Sequence, residues 1–325
     1  MRLVSFVADG KSRFGLSFDQ RRIYDLTALF HRHRADAYAP RTLLEFIESG
    51  PATWGEARAL QHQLQDDPEG TAYHDADSVQ FLAPVTRPSK ICCLALNNSA
   101  NSERILRGPK HPAMFLKAAN SLVGHRGEII CKTAYGHVHP EPELALVIGR
   151  ETKDITAEQA YDHVFGYTVH NDITSPTMRG EDTFHYRAIH AKNGDIREME
   201  YVDTWVSYPG RYKGCDTFAC MGPWLVTREE IPDPHDLAIE CRHDGELVTA
   251  DNTSNLFYKV PQVLAFLSSY MTLLPGDIVS MGTALKASAS GGRAVQNIDL
   301  EKSNTRVSVS IERIGTLENT SRLVA

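Results

Sequence analysis

The chain lacks any uninterrupted apolar stretch near the roughly 18 residues that a membrane-crossing helix needs, so a bilayer-spanning role has no support in the sequence. The opening MRLVSFVADG is cut by Asp9 before it reaches the length of a signal core, and a cytoplasmic protein is expected. No Lys/Arg run stands out from a formal net charge of -7 and a pI near 6.1. Nucleic acid and anionic membrane surfaces are therefore not expected partners, and a small molecule is. Neither a C-x-x-C pair nor a Cys/His pattern with zinc spacing occurs among Cys92, Cys93, Cys131, Cys215, Cys220 and Cys241, which are expected to be reduced and mostly buried. Cys92 and Cys93 are adjacent in an apolar run, so in a strand they face opposite sides and cannot line one site together. A glycine-rich phosphate loop and internal repeats are also missing.

What is present is ordinary globular composition, 42% apolar and 23% charged over 325 residues, enough for a large domain with a smaller one appended. Residues 1–83 read as a small α+β domain, with strands in Leu3 to Ala8 and around Phe14 to Phe18, then helices near Leu43 to Glu48 and Trp54 to Leu64. The proline-punctuated APVTRPSK marks an expected boundary, and 84–325 are expected to form the larger, main domain. There, short apolar runs recur at Ile91, Ala113, Glu128, Leu144, Gly166, Trp224, Ile278 and Val307. Two helices are expected among them, one starting at the Thr156–Gln159 capping box and one over Val260 to Met271. Many strands and few helices indicate a β-rich α+β fold. The polar stretch Ser175 to Asp216 is too long for a simple connection and is expected to be a mobile lid.

Glu141 and Glu143 stand two apart before the run Leu144 to Ile148, so in extended chain both side chains face one side. Exposed glutamates at a strand entrance are common, and the spacing alone is weak. Asp172 changes the balance by ending a second apolar run. Three converging carboxylates need a cation, and oxygen-only ligation suits Mg²⁺, with Mn²⁺ or Ca²⁺ as substitutes. Three protein ligands leave roughly three of six octahedral positions for a 2-oxo acid and water.

These residues fall within segments that resemble the fumarylacetoacetate hydrolase superfamily in order and spacing: KICCLALN, AMFLKAANSLVG, EPELALVIG, GYTVHNDIT, KGCDTFACMGPWLVT, NTSNL, LLPGDIVSMGT and IERIGTLEN. The resemblance runs from Lys90 to Asn319 and is closest to hydroxymuconate-type isomerase/decarboxylase and acylpyruvate hydrolase members. It implies metal binding by Glu141, Glu143 and Asp172, and a substrate pocket lined by Lys213 and Thr283. It also implies a mostly antiparallel, mixed β-roll catalytic domain and assembly as a homodimer.

The chain departs from hydrolytic members where they carry a water-activating histidine with an acid three residues on. Asn101 and Arg104 occupy those positions, and an amide cannot take up a proton at neutral pH. Glu103 is one residue out of register. Pro176 and Arg179 replace the usual Arg and Gln after the N-D motif. If hydrolysis is retained, Glu103, His185, His190 or His111 must serve as base. If not, isomerisation or decarboxylation of a 2-oxo dicarboxylic acid through an enolate is favoured, with Lys213 catalytic and Arg179, Arg187, Lys192 and Arg211 supplying cations for the second carboxylate. A non-catalytic metal-binding module of the same fold is the third reading.

Overall fold

The computed structural model describes residues 1–33, 39–68, 70–102, 105–285 and 300–325. Elements used below are β1 (Arg2–Ala8), β2 (Lys11–Leu16), β3 (Arg22–Asp25), α1 (Leu26–His33), α2 (Leu43–Glu48), α3 (Pro51–Asp66), β4 (Ile91–Ala95), β5 (Ala113–Lys117) and β6 (Glu128–Lys132). The catalytic region continues with β7 (Pro142–Ile148), β8 (Val164–Asp172), α4 (Pro176–Glu181), β9 (Thr183–Lys192), β10 (Asp195–Ser207), α5 (Gly210–Gly214), β11 (Ala219–Met221) and β12 (Trp224–Thr227). The last elements are β13 (Ala238–His243), β14 (Glu246–Asn252), α6 (Val260–Tyr270), β15 (Ile278–Thr283), β16 (Arg306–Ile311) and β17 (Gly315–Val324).

The fold is β-rich α+β, as expected. A 13-stranded mixed sheet runs β3-β2-β1-β12-β8-β7-β15-β4-β5 along its main path, and a five-stranded sheet runs β14-β13-β16-β17-β6. β7 and β8 lie inside the large sheet with every residue buried, which is why they read as continuous apolar runs rather than alternating ones. The sheet does not stop near residue 83: β1 pairs with β12 through Leu3↔Leu225, so the N-terminal strands extend the catalytic sheet. Two apolar cores fill the space around the sheets, the smaller one built on Phe14, Phe30, Phe46 and Phe165 under α1, α2 and α3. All six cysteines are free and five are buried, matching their expected state. No described helix is long and apolar enough to cross a membrane.

One sequence expectation is corrected. The helix expected from Thr156 is only a 3₁₀ turn, Ala160–His163. The Gln159 side chain does accept from the Thr156 N–H (3.0 Å), but Val164 and Phe165 are taken into β8, leaving too few residues to propagate a helix. The stretch expected to be a mobile lid is built of regular elements: α4, an antiparallel hairpin of β9 and β10, and α5. Its turn is Asn193-Gly194, with φ of 53° and 79°, the left-handed pair that suits a two-residue hairpin loop.

Candidate metal centre

Pairing of β7 with β8 and β15 brings the three carboxylates together. Glu143 sits opposite His170 on one side and Thr283 on the other, while Asp172 ends β8. Glu141 is held just before β7 by two backbone links: its N–H donates to Asn171 Oδ1 (2.9 Å), and its carbonyl accepts from the Asp172 N–H (2.9 Å). One ligand oxygen from each of Glu141, Glu143 and Asp172 lies within 4.8 Å of the others. The expected triad is therefore assembled in space.

Two ammonium groups reach into it. Lys213 Nζ donates to Glu141 Oε2 and Asp172 Oδ2, both at 2.6 Å, and stands 5.0 Å over the Phe115 ring. Lys117, at the end of β5, donates to Asp172 Oδ1 at 2.5 Å and to the Ile173 carbonyl at 3.3 Å. Both lysines, Asp172 and Glu143 are buried, so these charges interact in a poorly screening medium. Burial alone would raise the Asp172 carboxyl, but Lys117 and Lys213 hold it below its ordinary value. Glu141 is also held below the carboxylate range, as Lys213 and a hydrogen bond from His139 outweigh burial. Burial opposes charge on Lys213, yet Asp172, Glu141 and Glu143 push its ammonium well above the usual lysine value. Lys213 is thus a fixed cation and a hydrogen-bond donor rather than a base.

Glu143 is buried at 1% exposure, with Ser280 Oγ donating to Oε2 at 2.5 Å and the Gly282 N–H at 3.2 Å. Gly282 has φ +95°, and an added Cβ would stand 2.9 Å from the Asn97 Cβ, so the residue that brings this N–H to Glu143 must be glycine. Thr283 Oγ1 lies 3.1 Å from Glu141 Oε2 and 3.0 Å from Glu143 Oε1. A hydroxyl has one proton, so one carboxylate at a time receives it. His170 Nδ1 lies 2.7 Å from Ser280 Oγ, and since Ser280 gives its proton to Glu143, the imidazole N–H donates to Ser280. His139 Nε2 donates to Glu141 Oε1 (3.2 Å). These groups hold the carboxylates from behind, as outer-shell partners hold metal ligands.

The donor set fits a hard dication. Among Glu141, Glu143, Asp172, Lys117 and Lys213, three carboxylates face two ammoniums, leaving one negative charge in a buried cluster. A dication reverses that sign and prepares the site for an anionic substrate.

Other expected site residues lie elsewhere. His185 and His190 are exposed on β9, where His185 stacks on Trp205 (4.1 Å between ring centres) and His190 stands opposite Glu200. Neither is presented to the carboxylates by β9, whose only strand partner among the described residues is β10. Arg187 pairs with Asp203 (3.4 Å) and Lys192 with Glu198 (3.6 Å) across the same hairpin. Arg211 is held by Glu181 and Asp182, and Arg179 is exposed on α4. Without ligand, then, Arg187, Lys192 and Arg211, expected to supply cations for a substrate carboxylate, are paired with neighbouring acids. His111 stacks on Phe266 at the surface. Glu103 and Arg104 lie outside the described residues. Asn101 is buried in a 3₁₀ turn, Ser99–Asn101, following Asn97, whose amide donates to the Met281 carbonyl beside the site.

The profile of the fumarylacetoacetate (FAA) hydrolase C-terminal family matches residues 90–322, spanning all of these site residues. The chain belongs to the fumarylacetoacetate hydrolase family. It is one of the family's enzymes. A human mitochondrial oxaloacetate tautomerase is 36% identical over 250 residues, covering 76% of this chain and 70% of the relative. The fumarylacetoacetate hydrolase of psychrophilic Exiguobacterium antarcticum superposes with a TM-score of 0.73 at 26% identity, covering both chains fully. A maleylpyruvate hydrolase from Sphingobium sp. SYK-6, in complex with manganese(II) and pyruvate, gives a TM-score of 0.70 at 24% identity, again over all of both chains, and supports the shared fold.

Proposed function

We propose that this family enzyme interconverts the keto and enol forms of a small 2-oxo dicarboxylic acid, with oxaloacetate the first substrate to test, using Mg²⁺ or Mn²⁺ held by Glu141, Glu143 and Asp172. The observation that carries this reading is the buried carboxylate triad spanned by the Lys213 and Lys117 ammoniums. When bound, the dication supplies Lewis acidity toward the oxygens of a 2-oxo carboxylate. Lys213 holds its proton at Nζ and can hydrogen-bond an oxygen on which enolate charge develops, next to the water-excluding face of Phe115. Lys117 keeps Asp172 charged and oriented. Thr283 and Ser280 fix Glu141 and Glu143 so that little reorganisation is left for the reaction.

Tautomerisation also demands less than hydrolysis: one proton leaves C3 and one joins the 2-oxygen, with no water to activate. Asn101 at the place of a water-activating histidine fits that lighter demand. The oxaloacetate tautomerase name of a relative 36% identical supports the same choice. The test supplies the full chain and Mn²⁺ with enol oxaloacetate, following loss of enol absorbance beside acylpyruvates analysed for released pyruvate. Metal-dependent loss of enol above the spontaneous rate is expected. Pyruvate release without tautomerisation would replace this reading with carbon-carbon hydrolysis.

A further inference from the structure

Asp251, near the end of β14, is a buried carboxylate outside the metal cluster. Aspartate is rarely buried without partners, and the partners here come from three stretches of chain. Asn98 Nδ2 donates to Oδ2 at 3.0 Å, and the Leu285 N–H donates to the same oxygen at 2.9 Å. Asn255 Nδ2 and the Asn252 N–H donate to Oδ1 at 2.7 and 2.8 Å. Asn98 and Leu285 are remote in sequence from Asp251 and from each other. The carboxylate therefore ties the turn after β4 to the chain leaving β15.

Both of those stretches flank the metal centre. Leu285 lies two residues past Thr283, whose hydroxyl is shared between Glu141 and Glu143. Asn98 follows Asn97, whose amide donates to the Met281 carbonyl at 2.8 Å and whose Cβ packs against Gly282. The β7–β15 ladder is irregular at this end: its register slips between Glu143 and Ala145, next to the pairing of Glu143 with Thr283. A slip of this kind bends the chain and disrupts the local ladder, so other anchors are needed to fix Thr283. The Ala284 N–H supplies one, donating to the Pro142 carbonyl at 2.9 Å, and the next N–H along, that of Leu285, goes to Asp251.

We propose that Asp251 is a positioning residue for the metal centre, fastening the chain past Thr283 so that the Thr283 hydroxyl stays between Glu141 and Glu143. Its part is played through Thr283 rather than at the reacting atoms. The inference rests on the metal reading of the carboxylate triad, but not on the choice of substrate or reaction. It also explains why the residue is an acid. In Asp251→Asn the amide nitrogen must face either Asn98 Nδ2 and the Leu285 N–H or Asn255 Nδ2 and the Asn252 N–H, donor against donor in both cases.

Manganese titrations of the full chain, followed by electron paramagnetic resonance, test this without reference to turnover. The parent, Asp251→Asn, Thr283→Val and the double variant close a cycle. Each single variant should weaken Mn²⁺ binding by about 10-fold, the lower end of what outer-shell supports give. With Thr283→Val already present, Asp251→Asn should cost less than about 2-fold more, because residues that act through one another are non-additive. Circular dichroism melts of the metal-free proteins record stability separately, and a merely structural Asp251 would lower Mn²⁺ affinity by the same factor in both backgrounds. Should Asp251→Asn fold poorly, Asn98→Ser replaces it: serine keeps an acceptor for the Ala100 N–H but is too short to reach Asp251, and the same non-additivity with Thr283→Val is expected at reduced amplitude. Unchanged Mn²⁺ affinity in the folded variant, or losses that multiply across the cycle, would overturn the proposal while leaving the metal site in place. A parent chain that binds no Mn²⁺ would overturn it together with the metal reading.

Discussion

The metal centre and the β9–β10 hairpin are opposites. One hides charge and the other displays aromatic rings. Lys117, Asp172 and Glu143 are buried where charged side chains almost never go unpaired, while Trp205 and Tyr201 stand in solvent where large aromatics gain nothing. Each is costly in the isolated chain, and each cost points to something that completes it: a cation in one case, another protein surface in the other. An ordinary region, such as the aromatic core of Phe14, Phe30 and Phe46 beneath α1 and α2, asks for no such completion.

The strongest way to break this comparison is Glu143→Gln. If the cluster exists for a cation, losing one charged ligand should remove most Mn²⁺ affinity and lower turnover by more than about 100-fold, beyond the 10–100-fold typical of outer-shell losses. Manganese titration followed by electron paramagnetic resonance and the enol assay read the two effects. Full Mn²⁺ affinity in a folded Glu143→Gln protein would remove the metal assignment.

Next in size is Lys117→Met. It leaves Asp172 buried beside Lys213 alone, and breaking a buried ion pair costs about 3–5 kcal/mol. Denaturant unfolding of metal-free protein should show that loss, and Mn²⁺ should recover part of it by binding the folded state. Lys213→Met, by contrast, is expected to raise KM and lower kcat together, because its ammonium serves ground and transition states alike. Steady-state kinetics unchanged from the parent would exclude Lys213 from the substrate's surroundings.

How much of this was legible depended on whether a pattern had one explanation. Glu141, Glu143 and Asp172 could be found because two buried apolar runs fix the parity of the glutamates and the position of the aspartate. Lys117 could not, since a single lysine closing a strand reads as a solvent-directed end, although AMFLK lies inside a segment that matched the family. His139 and His170 were likewise unmarked, for a histidine in an apolar stretch is commonly structural. The hairpin was missed because β9 and β10 carry apolar residues on both faces, which erases the alternation that signals a half-buried strand. Asn193-Gly194 was the available signal. The false helix at Thr156 had a genuine capping residue, and sheet pairing of Val164 and Phe165 overrode it.

A smaller change sharpens the comparison by leaving all charges in place. Ser280→Ala removes the hydroxyl linking His170 to Glu143, and the loss of such a support should weaken Mn²⁺ binding about 10–100-fold while the hairpin is unaffected. Equal Mn²⁺ affinity for parent and variant, measured by calorimetry, would mean that Glu143 is held by Gly282 and Thr283 alone.

The smallest expected effect concerns a group outside both regions. His125 is largely buried, and burial first, then Arg126 beside it, lowers its pKa to about 4, with Asp77 only partly opposing them. Its Nδ1 accepts from the Glu318 N–H at 3.0 Å, and its ring meets Phe81 edge-on. A histidine kept neutral in the folded chain takes up its proton more readily when unfolded, near the ordinary value of about 6.5. Between those limits the unfolded state binds more protons, so stability rises with pH. The contribution is therefore complete above about pH 6.5, falls as pH drops through the window, and is lost below the folded value near 4. Asp172 and Glu141 of the metal centre are also shifted downward, below a carboxylate range that already lies under pH 5, and should add no slope between about pH 5 and 7. Melts of metal-free His125→Gln across that window should accordingly show a shallower loss of stability than the parent on acidification. A slope identical in both proteins would assign the acid sensitivity to a group other than His125.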